Sequence, residues 1–525
     1  MAQARMVEGI IGSYQSSDIA KVCQSECQNM YFERQGSEAS AKAILRSISG
    51  NSTYLQMPEK NCRGIFRCSR GNSGYPALYA CFGSTIYLML EDDGVPVSYA
   101  IGKVSNGYNE PVHFTETGGS GDAHPHLIVV DGAGCFAVDT TLLPMEQKAD
   151  WKSIALPLRN ASTDTLIKPT HCAYLYNYLV INDAGTDSFY LSYQYPFEDE
   201  TNAGGKEYIN DIFQTHKYDK YGFRVESEWM TDNTTALCST GASLWTFGPR
   251  SYQIFSYMND LNYPFQSPNS AAAAIGILAP NSLAVLGPNI IWLGSSDIGE
   301  HGIFLGTGNQ VQRISTNDIE REIEKLPNQE DAVGQAWEEN HHTFYAITFI
   351  NGNKTFVYDA NEGLWHTRAS FDQSANNQAG MWRPQFATFA YRKILFGTRE
   401  DDKLIYMDAN VWHEYDGLVM VRRRKSAVIY NDFSPWYCNN FRLICNNGQV
   451  MDPNLNPQVT MSFTWDGSTW SDQVIGLTGE IGRYDWKTEW WNLGYGEILT
   501  VEVSCSDEYN FTIIGAKIQA EVTSL

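Results

Sequence analysis

The 525-residue chain has no run of eighteen apolar residues, so no helix of it is expected to cross a bilayer. Its opening, MAQARMVEGIIGSYQ, lacks a long apolar stretch and an export cleavage pattern. The expectation is a protein made in a cytoplasm that stays soluble. Positive charge is scarce: 37 Lys and Arg stand against 60 Asp and Glu, a net charge of −23. Duplex-DNA binders draw affinity from cations that displace phosphate counterions, and this balance runs the other way. An acidic surface serves solubility, and it also suits a wall past which DNA slides without adhering. A Ser-His-Asp elbow, a Walker loop and a glycine-rich turn opening a helix are all missing. Acids are too numerous for any pair to stand out as a glycosidase dyad. Nothing in the residues argues for catalysis, and no cofactor is expected.

The eleven cysteines are odd in number and scattered. Cys81, Cys135 and Cys505 lie inside strand-like runs, where a thiol acts as a small hydrophobe. Cys23 and Cys27 with Cys62 and Cys68 offer only a loose zinc spacing, so reduced, mostly buried thiols are the expected state. Asp122, His124 and His126 alternate, which places both imidazoles on one side of an extended segment. No third ligand can be named, and a loop leading into a strand explains the pattern equally well. His341 and His342 are expected to point to opposite faces at a strand start.

What the chain does hold is a repeated phrase: a β-rich run, a turn, then a second run ending near an aromatic. It recurs as ALYACFGSTIYLM, HLIVVDGAGCFAVD, YLVINDAGTDSFYLS, TALCSTGASLWTFG, SLAVLGPNIIWLG, FYAITFINGNKTFVYD and FATFAYRKILFGTREDDKLIYMD. With Tyr79, Ile128, Leu179, Leu237, Ala284, Tyr345 and Thr388 as markers, the steps are 49, 51, 58, 47, 61 and 43 residues. That period is one four-stranded blade, and blades closed in a ring form a propeller. The expected fold is all-β: a β-propeller of about seven blades over 63–410, followed by a β-sandwich over 411–525. Residues 1–62 read as an N-terminal arm with lead-in strands. Pro196–Asn233 reads as an insertion loop. Across 315–335, Thr316 or Asn317 is expected to cap a short helix carrying Ile319, Ile323 and Leu326 on one face. The sandwich rests on runs such as ILTVEVSC and AKIQAEV, whose alternation buries one face.

Arg422, Arg423, Arg424 and Lys425 concentrate four cations at the junction of the two units. One reading is a solvated strand edge that blocks aggregation. A sharper one is a protein-interface strip that docks an acidic neighbour, another copy of this chain included; nucleic-acid contact is a third. The segment SFTWDGSTW resembles the Asp-box of sialidases with altered spacing, and Asp466-Gly467 reads as a turn with positive φ at the glycine.

Taken in order, further segments resemble the packaged-DNA stabilisation proteins of short-tailed bacteriophages, their tail nozzle or hub proteins. Asn29-x-Tyr31-x-Glu33, then Leu45-Arg46 with Gly50, are similar to the family's opening, with Ser49 where it has proline. LWTFGPRSYQIF with Asn262-Tyr263-Pro264-Phe265, SLAVLGPNIIWLGSS and Arg313-Ile314-Ser315-Thr316 follow its middle. WHTR, FGTREDDKLIYMD and RRRKS look like its last blade and exit. WDGSTWS, Leu477-x-Gly479-x-x-Gly482-x-Tyr484, Trp490-x-x-Leu493-Gly494 and IIGA resemble its final domain. The matches are collinear over about 490 residues. The N-terminal arm and the Pro196–Asn233 insertion depart from the family's pattern.

The resemblance implies a non-enzymatic structural protein of the virion tail, acting in head completion, DNA stabilisation and genome ejection. It implies a homo-hexamer below the portal and its adaptor (the head-to-tail connector), extending and closing the DNA channel. Tail fibre, spike or plug proteins would be its other partners, and packaged dsDNA would pass without sequence-specific binding. The channel wall is then expected to be acidic. The alternative is a carbohydrate-binding or polysaccharide-degrading propeller on a phage tail, for which carboxylates should converge on the propeller axis. A cytoplasmic propeller scaffold is a further possibility.

Overall fold

The computed structural model describes residues 3–7, 9–17, 23–68, 77–105, 109–118, 126–139, 154–156, 166–194, 223–226, 232–260, 264–268, 271–296, 299, 301–371 and 380–522. Seven antiparallel sheets succeed one another along the chain. Blade 1 spans Cys62–Lys103, blade 2 His113–Leu156, blade 3 Cys172–Glu226 and blade 4 Ala236–Gln266. Blade 5 spans Ile275–Arg313 and blade 6 Val333–Arg368. Blade 7 takes three strands from Pro384–Asp408 and its fourth, Gly50–Gln56, from near the start of the chain. The first strand of blade 7 packs on that of blade 1, which closes the ring. Each of the seven marker residues falls in a different blade, in the first or second strand. The slip between first and second strand lengthens the step from Ala284 to Tyr345 and shortens that from Tyr345 to Thr388, while the step from Leu179 to Leu237 is long because it contains the Pro196–Asn233 insertion.

Blade strands read as continuous apolar runs rather than alternating ones because both of their faces are covered. In blade 2 the strand His126–Val130 is buried throughout. Leu127 and Val129 join the core shared with blade 1, while Ile128 and Val130 join the core shared with blade 3. Every pair of neighbouring blades has such a core. Seven apolar clusters therefore lie between blades instead of one at the centre.

An eighth core belongs to the C-terminal unit. Two sheets face it. One has six strands, built from Trp436–Cys445, Thr488–Gly496 and Thr512–Val522 with the N-terminal Gln3–Met6, Met30–Arg34 and Ala43–Ser47. The other is continuous with blade 6. Its outer strand Leu364–Arg368 is followed in the sheet by Gln24–Gln28, Arg422–Lys425, Ile498–Cys505, Gln458–Thr464 and Val474–Leu477. The N-terminal segment expected as a lead-in arm thus supplies strands to both C-terminal sheets and to blade 7. The expected helix forms at Asn317–Glu324: the Thr316 hydroxyl accepts from the Ile319 amide, and Ile319 and Ile323 are buried. Of the Pro196–Asn233 insertion, residues 223–226 pair as the outer strand of blade 3, and 232–233 precede blade 4. The rest of that insertion lies outside the described residues.

Candidate functional site

The basic run is placed differently from a surface strip. Strand alternation turns Arg422 and Arg424 inward, where they are 0% and 1% exposed. Arg422 donates to the backbone carbonyls of Cys505 (3.3 Å), Tyr509 (2.7 Å) and Asp507. Arg424 donates to the carbonyls of Ile10 (2.8 Å), Gly9 (2.9 Å), Glu26 (3.2 Å) and Ser13 (3.3 Å). Both guanidiniums are spent on backbone carbonyls, so they are not available to an external acidic neighbour. Burial also pulls the Arg424 guanidinium below its usual range. Arg423 and Lys425 face the other way. Arg423 lies 3.5 Å from Glu502, and the Lys425 ammonium sits 4.9 Å over the Trp470 ring.

The junction of propeller and C-terminal unit gathers the N-terminal motif residues. Asn29, fully buried at φ 54°, donates to the carbonyls of Ala369 and Val421 (both 2.8 Å) and accepts from the Ala369 amide (2.9 Å). One side chain thereby ties the end of blade 6 to the exit from blade 7. Tyr31 packs edge-on against His342 and Phe344 of blade 6, and Glu33 holds Arg46 through two bonds (2.5 and 3.0 Å). Behind them Arg368 is fully buried, 4.8–4.9 Å from the rings of Trp337, Phe344 and Trp382 and 3.4 Å from Glu339. His342 meets Asp359 at 2.6 Å, and burial raises the Asp359 carboxyl. A polar cleft of about 330 Å³ opens over this region, lined by Glu33, Arg46, Asn340, His341 and Trp412 among others. Its one guanidinium is already paired with a carboxylate, so the cleft offers no uncompensated charge to a ligand.

At the propeller axis, where small ligands of such rings would sit, the chain places its own side chains. His113 of blade 2 reaches Asn281 of blade 5 at 3.1 Å, and His171 beside blade 3 leans on His113 with ring centroids 3.9 Å apart and planes tilted by 33°. Imidazoles and an amide meet there, not paired carboxylates.

Asp122 and His124 lie outside the described residues; His126 is buried at the start of a blade 2 strand. His341 occupies a tight turn at φ 67°, while His342 starts the following strand and points inward. Cys23 directly precedes the N-terminal strand Gln24–Gln28 and Cys27 lies within it, whereas Cys62 and Cys68 are the two ends of one blade 1 strand. Among the described residues no group of three or more His, Cys, Asp or Glu is placed to hold a metal. Asp466 accepts from the amides of Ser468 (2.8 Å) and Thr469 (2.7 Å), which holds its carboxyl well below the usual range, and Gly467 has φ 80°. The segment is a turn fastened by its own aspartate. Sequence reasoning did not find the axial residues. His113, His171 and Asn281 are far apart in the chain, and only ring closure brings them together.

Residues 180–412, from the second strand of blade 3 to the exit of blade 7, match the model of a phage stabilisation family described as the β-propeller of bacteriophage P22 Gp10. A comparison with curated proteins finds no match. Among solved structures, a chain of the Chaetomium thermophilum Polycomb Repressive Complex 2 is 9% identical with a TM-score of 0.36, over 60% of this chain and 73% of that one. A protein from Lactobacillus plantarum is 11% identical with a TM-score of 0.35, over 73% of this chain and all of that one. At these scores the likeness carries nothing about activity.

Proposed function

We propose that the protein is a structural component of a bacteriophage tail, a nozzle that stabilises packaged DNA. The observation that carries this reading is the match of blades 3 to 7 to a phage propeller family. In this reading six copies close a ring below the portal and its adaptor, extend the DNA channel, shut it after packaging and anchor fibre, spike or plug proteins. The role is mechanical and needs no catalytic residues. Two features support it. Seven cores between blades and a blade sheet continuous with the C-terminal unit make a stiff body rather than two domains on a tether. The propeller axis is occupied by side chains, so DNA would pass between copies and not through any one of them. A net charge of −23 then suits a wall that repels the passing polyanion; a neutral or basic channel lining would contradict that part.

Disrupting the gene in the source phage tests the reading. Heads should fill with DNA and then lose it, and added purified protein should restore retention. Particles that lack the protein yet keep their genomes would overturn it.

A further inference from the structure

The contacts at the axis are of a kind that neighbouring blades do not make. His113 opens the first strand of blade 2 and His171 directly precedes the first strand of blade 3. Asn281 sits in the turn Pro280–Ser282, which interrupts the inner edge of blade 5. Blades 2 and 5 stand on opposite sides of a seven-membered ring, so a 3.1 Å bond from the His113 Nε2–H to Asn281 Oδ1 crosses the centre. The same turn is gripped from blade 6, where Tyr345 donates to the Ser282 carbonyl at 2.8 Å. The Cys172 thiol donates to the His113 carbonyl at 3.7 Å, linking blades 2 and 3.

We propose that the His113–His171–Asn281 clasp is an acid-labile lock across the propeller axis, held shut by neutral imidazoles and opened when they take up protons.

Hydrogen bonding fixes the protonation state of the closed form. Thr170 spends its hydroxyl proton on the Thr235 carbonyl (3.0 Å), so its oxygen accepts from His171 Nδ1–H (3.0 Å). The proton of His171 is therefore on Nδ1, and the buried Nε2 carries none in the closed form, although the Pro280 carbonyl stands ready to accept from a proton there. A second proton places a cation against another imidazole face, in a buried site on His171 and in a partly buried one on His113. The groups around the pair offer little compensation. Blade 5 presents the Pro280 carbonyl and the Asn281 amide, and blade 3 presents Thr170 and the Cys172 thiol, with Cys135 of blade 2 behind that thiol. Glu116, three residues along the His113 strand, alternates to the opposite face. Burial lowers the proton affinity of both rings, and His113 lowers that of His171 further. An opened site returns each ring toward 6.5. The open state thus binds more protons, and the lock is at full strength above that pH and weakens as the pH falls below it. Each imidazole that must charge on opening lowers the closed-to-open ratio about tenfold per pH unit.

Backbone hydrogen exchange on the full chain between pH 7.5 and 4.5, corrected for intrinsic exchange, reads this directly. Protection of 113–116, 172–175 and 280–286 should fall about tenfold or more per unit below 6.5, while 384–390 on the inner edge of blade 7 stays level. The His171→Phe variant keeps a stacked ring and should lose at least one charge's share of that slope. Equal slopes in both proteins would overturn the lock. Should that variant misfold, imidazole C2-hydrogen exchange on the unaltered chain decides: midpoints well below 6.5 for His113 and His171 support it, and ordinary midpoints contradict it.

Discussion

Replacing Arg422 with leucine removes the donors held by the carbonyls of Cys505, Asp507 and Tyr509. Buried acceptors left unmade cost about 1–3 kcal/mol each and do not sum simply, so a loss of about 3 kcal/mol or more is expected in urea unfolding. Arg423→Ala, one residue along, gives up a single partly buried contact with Glu502 and should cost markedly less, about 1 kcal/mol. Equal effects would contradict the inward and outward assignment. Glu414 supplies a second test. It is buried, accepts from the Ser370 hydroxyl at 2.7 Å, and burial pushes its carboxyl from 4.5 up to about 7. Between those values the folded state holds a proton that the unfolded state releases, so stability falls as pH rises through that window, by on the order of 3 kcal/mol. Glu414→Gln should flatten this slope, seen as a smaller difference between urea midpoints at pH 5 and pH 8. At this scale the sequence was least informative: four adjacent cations look alike in a string, and only the alternation of a strand covered on one face separates two structural arginines from their neighbours.

Strands and turns were more legible than their partners. The blade runs announced themselves because each buries both faces, and Thr316 announced the helix through its side-chain cap. The destination of the N-terminal strands was not readable, since pairing between residue 50 and residue 408 depends on contacts no local pattern encodes. Gly50 shows how tight that closure is. Its amide donates to the Val411 carbonyl at 2.7 Å, and a Cβ there would collide with the carbonyl oxygens of Val411 and His413. Gly50→Val should therefore weaken ring closure by about 1–3 kcal/mol, with earlier proteolysis near residues 57–61. Unchanged resistance to protease would argue against Gly50–Gln56 as the closing strand. The cysteine spacings were uninformative for a related reason: Cys23 and Cys27 lie at a different sheet from Cys62 and Cys68, and spacing along the chain says nothing about which strand ends meet.

Seven cores between blades and an eighth in the C-terminal unit leave no hinge between the two units among the described residues. Their joint is buried, with Asn29 bonded on both sides and Arg368 held among three aromatic rings. The fold class was legible from periodicity, and the phage reading from collinear motifs, because both are properties of the whole chain. The sealed axis was not, since it exists only once the ring closes. An antibody against the chain, applied to purified particles of the source phage and viewed by electron microscopy, reads where this body works. Label is expected at the single tail vertex of each particle. Particles without label at that vertex, from preparations in which the protein is made but stays with the cell, would contradict it.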